Sequence, residues 1–166
     1  GSWSWNDMGN YYGGGLWGVN WRENQFDLTM NRKEMKGSNV DLPEVKWMNK
    51  LKTGGSSDQS LIYTAPYSNV AYINGTLPAK TITVSGATPN PPLTFGSEIK
   101  NCLKESNIAF NGKVTSTSLQ EINGEKIQIA PKDNVLFEYK SPTLDKIIYW
   151  FMRKSVNFYC VTLIKT

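Results

Sequence analysis

Apolar positions in the first half of the chain fall in short runs separated by turn-forming residues. Gly13-Gly14-Gly15, Gly37-Ser38-Asn39, Gly54-Gly55-Ser56-Ser57-Asp58 and Asn74-Gly75 separate segments such as Phe26–Met30, Leu61–Tyr63, Asn69–Ile73 and Thr81–Val84. These segments are strand-length and rich in β-branched or aromatic residues, which predicts strands. The period changes after Pro89-Asn90-Pro91-Pro92. Proline suits the first turn of a helix, and Phe95, Ile99, Cys102 and Leu103 follow at helical spacing, which predicts a helix over about Pro92–Asn107 with those residues on its apolar face. Beyond Asn111-Gly112, the stretches Lys126–Ile129 and Leu136–Tyr139 read as short strands. Ser141-Pro142 opens a second helix with an apolar stripe of Leu144, Ile147, Ile148, Phe151 and Met152, and Phe158–Ile164 is a third helical run. The pattern is α+β, β-rich over 1–88 and helix-dominated over 89–166. The second portion looks incomplete, because its helices carry more apolar surface than its few strands can cover.

With 166 residues, 39% apolar and 19% charged, the chain can form one compact domain or two small ones sharing a core. The absence of histidine excludes every Ser-His-Asp or Cys-His catalytic arrangement, and with only two cysteines the usual zinc ligand sets are excluded as well. No metal or cofactor site is expected. Cys102 and Cys160 are too few for a disulfide scaffold, and the helical phase of Cys102 favours two buried thiols over a bridge. No apolar run is long enough for a spanning helix, and no secretory-signal pattern occurs, although a longer precursor could carry one. The net charge of +4 is a mild excess.

The sharpest compositional feature is the crowding of Trp3, Trp5, Tyr11, Tyr12, Trp17 and Trp21 near the N-terminus. Bulky rings filling the core of a small β-domain are the favoured reading. The sharper alternative is a non-catalytic module whose exposed rings stack on peptidoglycan or another glycan. Single-strand nucleic-acid binding ranks last, since lysines do not concentrate beside the aromatic segment, and no nucleic-acid partner is expected.

Three strings match the motifs of serine penicillin-recognising enzymes: Ser97-Glu98-Ile99-Lys100, Ser155-Val156-Asn157 and Lys52-Thr53-Gly54. The first is a pattern that chance supplies in a chain rich in both residues. Helical phase puts Ser97 and Lys100 opposite Phe95, Ile99 and Leu103, on the solvent side. The third runs into Gly55-Ser56-Ser57 and reads as a flexible turn, not an edge strand; it also precedes the other two strings, whereas in these enzymes it comes last. Ser155 continues the apolar stripe from Leu144, Ile148 and Phe151, which aims its hydroxyl at the interior or a cleft. The bland reading, favoured on spacing alone, is that Ser155 caps the following helix and Asn157 bonds nearby backbone.

The surrounding residues change that balance. The segment from Leu144 to Leu163, with Lys154-Ser155-Val156-Asn157 after an amphipathic helix opened by Ser141-Pro142, resembles the Ser-x-Asn region of the D-alanyl-D-alanine carboxypeptidase/endopeptidase family of low-molecular-mass penicillin-binding proteins, peptidase family S13. Trp3-Ser4-Trp5-Asn6-Asp7 is similar to the same family's inserted accessory region, as are Ala65-Pro66-Tyr67-Ser68-Asn69 and Gly75-Thr76-Leu77-Pro78. The resemblance implies a β-rich accessory region over 1–88, followed by part of a penicillin-binding, serine transpeptidase-like domain over 89–166. It also implies an internal fragment of a periplasmic or cell-envelope enzyme, lacking both the upstream nucleophilic Ser-x-x-Lys and the downstream Lys-Thr-Gly. Only Ser155 and Asn157 carry over as catalytic residues. Ser155 would be the relay hydroxyl, and Asn157 would orient the absent lysine and bond the peptide amide of a peptidoglycan stem peptide. The resemblance implies that the isolated chain is inactive and that only the full-length enzyme reacts with β-lactams. Exposed helix faces would favour dimerisation.

Overall fold

The computed structural model describes residues 4–5, 7–42, 45–127, 135 and 138–165. They form two compact units, 1–114 and 115–166. Helix α1 (Pro91–Glu105) therefore belongs to the same unit as the sheets, although the change of sequence pattern precedes it.

Six strands build the first unit: β1 (Gln25–Asn31), β2 (Glu34–Ser38), β3 (Lys46–Thr53), β4 (Gln59–Thr64), β5 (Val70–Leu77) and β6 (Thr81–Ala87). They form two three-stranded sheets, ordered β2-β1-β6 and β3-β5-β4. All pairings are antiparallel except β3 with β5. The strand period of two sends alternate residues inward. Phe26, Leu28 and Met30 from β1 meet Leu51, Ile62 and Ile73 from the other sheet in one core, closed by Val40, Leu77 and Val84. The N-terminal segment covers the free edge of β6, with the Ala87 amide donating to the Gly9 carbonyl at 2.8 Å. Arg22, Glu23 and Asn24 all have positive φ. Buried Asn24 holds that left-handed turn: its amide donates to the Gly15 carbonyl at 2.8 Å and to Asn20 Oδ1 at 2.7 Å.

The expected strands are present, extended at their ends, but β2 and β3 were not anticipated. In β3 the inward positions are Trp47, Asn49, Leu51 and Thr53, so the apolar alternation is diluted. The Asn49 side chain is satisfied locally: its amide donates to the Lys33 carbonyl at 2.8 Å and its oxygen accepts from the Leu51 amide at 3.0 Å.

Helix α1 begins where the prolines and Asn90 predict, with the Asn90 side chain accepting from the Leu93 amide at 3.2 Å. Its phase is not the expected one. The buried residues are Pro91, Leu93, Thr94 and Ser97, while Ile99 and Cys102 are exposed. The two cysteines are thus not both buried thiols: Cys102 is open to solvent and Cys160 is half-buried.

The N-terminal aromatics do not form the core either. Trp5 is 65% exposed, and Tyr11, Tyr12 and Trp21 are also exposed; Trp17 is half-buried and packs on the exposed Tyr67 at 4.6 Å between ring centroids. Trp3 lies outside the described residues. Side chains supplied by the sheets, Phe26 among them, fill the interior, and the described N-terminal rings are exposed or half-buried.

The second unit contains α2 (Thr117–Ile122), α3 (Leu144–Lys154) and α4 (Asn157–Lys165), none with a fully buried residue. The last two are the helices expected there; α2, capped by Ser116, is additional. Of the strands expected at 126–129 and 136–139, the described residues Lys126, Ile127, Glu138 and Tyr139 are not in strands, and the remainder lies outside the described residues. Among the described residues no helix is long and apolar enough to cross a membrane.

Candidate functional site

The apolar stripe of α3 is as predicted in sequence but stays largely open: Leu144, Ile148 and Met152 are exposed, and Ile147 and Phe151 are half-buried. In its first turn, the nearby Thr143 hydroxyl holds the Asp145 carboxyl below its ordinary range. At the other end Arg153 and Lys154 place positive charge beside the helix C-terminus, where the macrodipole favours it. Both fold back along the helix, Arg153 Nη1 donating to the Tyr149 hydroxyl at 2.8 Å and Lys154 Nζ lying 5.4 Å from the Trp150 ring centroid.

Helix α3 ends because Ser155 turns left-handed, at φ 54° and ψ 39°. Its amide and that of Val156 both donate to the Phe151 carbonyl, and α4 starts at Asn157. The helical phase that would aim Ser155 into an interior therefore stops one residue short. Ser155 and Asn157 instead stand exposed on either side of half-buried Val156. Neither the Ser155 hydroxyl nor the Asn157 carboxamide bonds another described residue, so the capping role has no hydrogen bond behind it.

A left-handed serine costs roughly 1–2 kcal/mol. Other non-glycine residues here share that conformation, including Asn107, which ends α1 and is of a type that tolerates it. Arg22, Glu23, Arg32 and Tyr67 also adopt it, so the conformation marks the end of α3 and does not by itself single out Ser155. Ser155→Gly should therefore stabilise the second unit by about 1 kcal/mol in urea unfolding, because glycine adopts positive φ without a Cβ penalty. A loss of stability instead would show that the side chain has a structural role.

The other two strings lie in the first unit. Ser97 is 8% exposed, on the inward face of α1, whereas Lys100 is exposed. The expected solvent-side placement of Ser97 is incorrect because α1 packs through its small and polar residues. Lys52 and Thr53 are the last residues of β3, an edge strand, and only Gly54, at φ +134°, begins the turn. The reading of all three as a turn is corrected accordingly. Among the described residues there is no metal-binding cluster of His, Cys, Asp and Glu.

A family model described as the D-Ala-D-Ala carboxypeptidase 3 (S13) family matches residues 1–166. The chain belongs to this family. The α+β fold agrees: the structure is similar to that of penicillin binding protein 4 (dacB) from Haemophilus influenzae, with a TM-score of 0.63, 20% sequence identity and 95% of this chain covered. The match takes in 35% of that protein's chain, so the present chain spans about a third of its length. A search of the curated proteins gave no match.

Proposed function

We propose that Ser155 and Asn157 are the Ser-x-Asn part of the active site of a serine-type D-Ala-D-Ala carboxypeptidase that acts on peptidoglycan stem peptides in the periplasm or cell envelope. The observation that carries this reading is the family match across the chain, together with an exposed, unbonded hydroxyl and carboxamide at the strained α3–α4 joint.

The chemistry needs both groups. A nucleophilic serine must lose a proton as it attacks the D-Ala-D-Ala carbonyl, and the leaving D-alanine nitrogen must gain one. In a chain without histidine, a lysine of lowered pKa and a second hydroxyl can share that transfer. Ser155 would pass the proton, while the Asn157 carboxamide would hold the lysine and bond the substrate amide. Within these residues Ser97 is no substitute nucleophile, being buried while its lysine faces solvent.

The test is covalent labelling with a fluorescent penicillin. The 166-residue chain should remain unlabelled, and a longer polypeptide from the same reading frame, with Ser-x-x-Lys upstream and Lys-Thr-Gly downstream, should label. Labelling of the present chain that disappears in Ser97→Ala would overturn the assignment.

A further inference from the structure

Three asparagines in the chain precede glycine: Asn74, Asn111 and Asn123. Such a step is chemically labile, because glycine has no Cβ to hinder its amide from folding back on the asparagine side chain. The reaction needs backbone freedom, so local stability decides which of the three can proceed.

Two of them are held. Asn74 is half-buried in β5, the central strand of its sheet, opposite Lys50 of β3 and Leu61 of β4, and the chain there is paired on both sides. Asn123 ends α2 with a helical backbone at φ −80° and ψ −1°. The Gly124 amide donates to the Glu121 carbonyl at 3.0 Å, and the Asn123 side-chain amide donates to Glu125 Oε1 at 3.4 Å. At both positions the backbone must open before the glycine nitrogen can turn on its neighbour.

Asn111 is different. It stands outside every helix and strand, in the segment between α1 and α2 along which the chain passes from the first unit to the second. Every residue from Asn107 to Lys113 is exposed. Among the described residues no backbone hydrogen bond involves 109–115, and neither the Asn111 side chain nor the Gly112 amide has a partner. The last bond upstream runs from the Ile108 amide to the Leu103 carbonyl at 2.8 Å, and it immobilises the amide that follows Asn107.

We propose that Asn111 is a site of spontaneous deamidation, at which the folded protein forms isoaspartate and aspartate with water as the sole co-reactant. The Gly112 amide gives its proton to solvent, and its nitrogen attacks Asn111 Cγ. The new C–N bond closes a succinimide ring as the Cγ–Nδ2 bond breaks, and the side-chain nitrogen takes a proton from solvent and leaves as ammonia. Water then opens the ring at either carbonyl. Cleavage of the new bond gives aspartate; cleavage of the old peptide bond routes the main chain through Cγ and gives isoaspartate, with one more backbone carbon. No electrons are transferred. Either product is ionised at neutral pH, lowers the net charge of +4 by one, and lies two residues from Lys113.

Incubating the folded chain at 37 °C and neutral pH, followed by cation-exchange chromatography and tandem mass spectrometry of tryptic peptides, tests the proposal. An earlier-eluting form should accumulate, with the gain of mass confined to Asn111 in the peptide Glu105–Lys113. Its isoaspartate should accept methyl groups from a protein-isoaspartate methyltransferase. Asn111→Gln should abolish the new form, and Gly112→Ala should slow it by at least about tenfold, since a Cβ obstructs the approach of the amide. Thermal unfolding of both variants should match wild type, because the altered groups are exposed and unbonded. In urea, Asn74 and Asn123 should deamidate as well, showing that the fold had protected them. No change in the folded wild type, deamidation of folded protein at Asn74 or Asn123 as fast as at Asn111, or a new form that persists in Asn111→Gln would each overturn the proposal.

Discussion

In a polypeptide that supplies the nucleophile, Ser155→Ala should slow acylation by a penicillin, and kcat/KM on a D-Ala-D-Ala peptide, by about 10²–10⁴-fold. That range is the usual contribution of one positioned proton donor or acceptor, and it corresponds to roughly 3–5 kcal/mol of barrier. Alanine keeps the strained backbone and removes only the hydroxyl, so the loss reports proton transfer and not helix geometry. Ser155→Gly should be equally slow although it relieves the left-handed strain at φ 54°. A variant that is more stable yet inactive is the signature of a residue kept in a costly conformation for its chemistry. Asn157→Ala should behave differently, weakening substrate binding through a lost hydrogen bond to the peptide amide and thus acting on KM as well as on kcat. Acylation by Ser155→Ala within a factor of two of wild type would remove Ser155 from the relay.

What the sequence made legible followed from strong local signals. The Pro-Asn-Pro-Pro cap before α1, the stripe of α3 and the β-branched runs of β1, β4, β5 and β6 each specify an element without tertiary help. The phase of α1 was not legible, because its buried face is made of Leu93, Thr94 and Ser97, and Ile99 and Cys102 face solvent. Side chains from other parts of the unit decide that packing. Val114 comes so close to Gly96 that a Cβ there would lie 2.5 Å from it, which no periodicity argument foresees. The aromatic-rich N-terminus misled in the same way: bulk suggested core, but the paired sheets already fill the interior with their own side chains, Phe26 included. At the candidate site, spacing placed Ser155 and Asn157 at the end of a helix but could not say where that helix stops. The single left-handed residue turns the expected inward hydroxyl outward. The neighbours of β3 were not legible for a topological reason, since β3 reaches the aromatic strands only through its parallel pairing with β5.

The antiparallel pairing of β5 with β4 is a point of vulnerability in the first unit. Gly75 lies in β5, the central strand, between Leu51 of β3 and Ser60 of β4, with φ +107°. A Cβ there would sit 2.1 Å from the Gln59 carbonyl oxygen and 2.9 Å from the Ser60 Cα, both backbone atoms of the adjacent strand that no rotamer change can move. Gly75→Ala combines that overlap with a disfavoured φ, and it should cost at least about 3 kcal/mol, a large part of the 5–15 kcal/mol typical of a domain. Two other glycines separate the causes. Gly54 has φ +134° but nothing within 4 Å of the added atom, so Gly54→Ala should cost only the backbone strain, about 1–3 kcal/mol. Gly37 has neither problem, and its alanine variant should stay within about 0.5 kcal/mol of wild type in urea unfolding. Equal losses for Gly75→Ala and Gly54→Ala would mean that β4 does not approach β5 this closely.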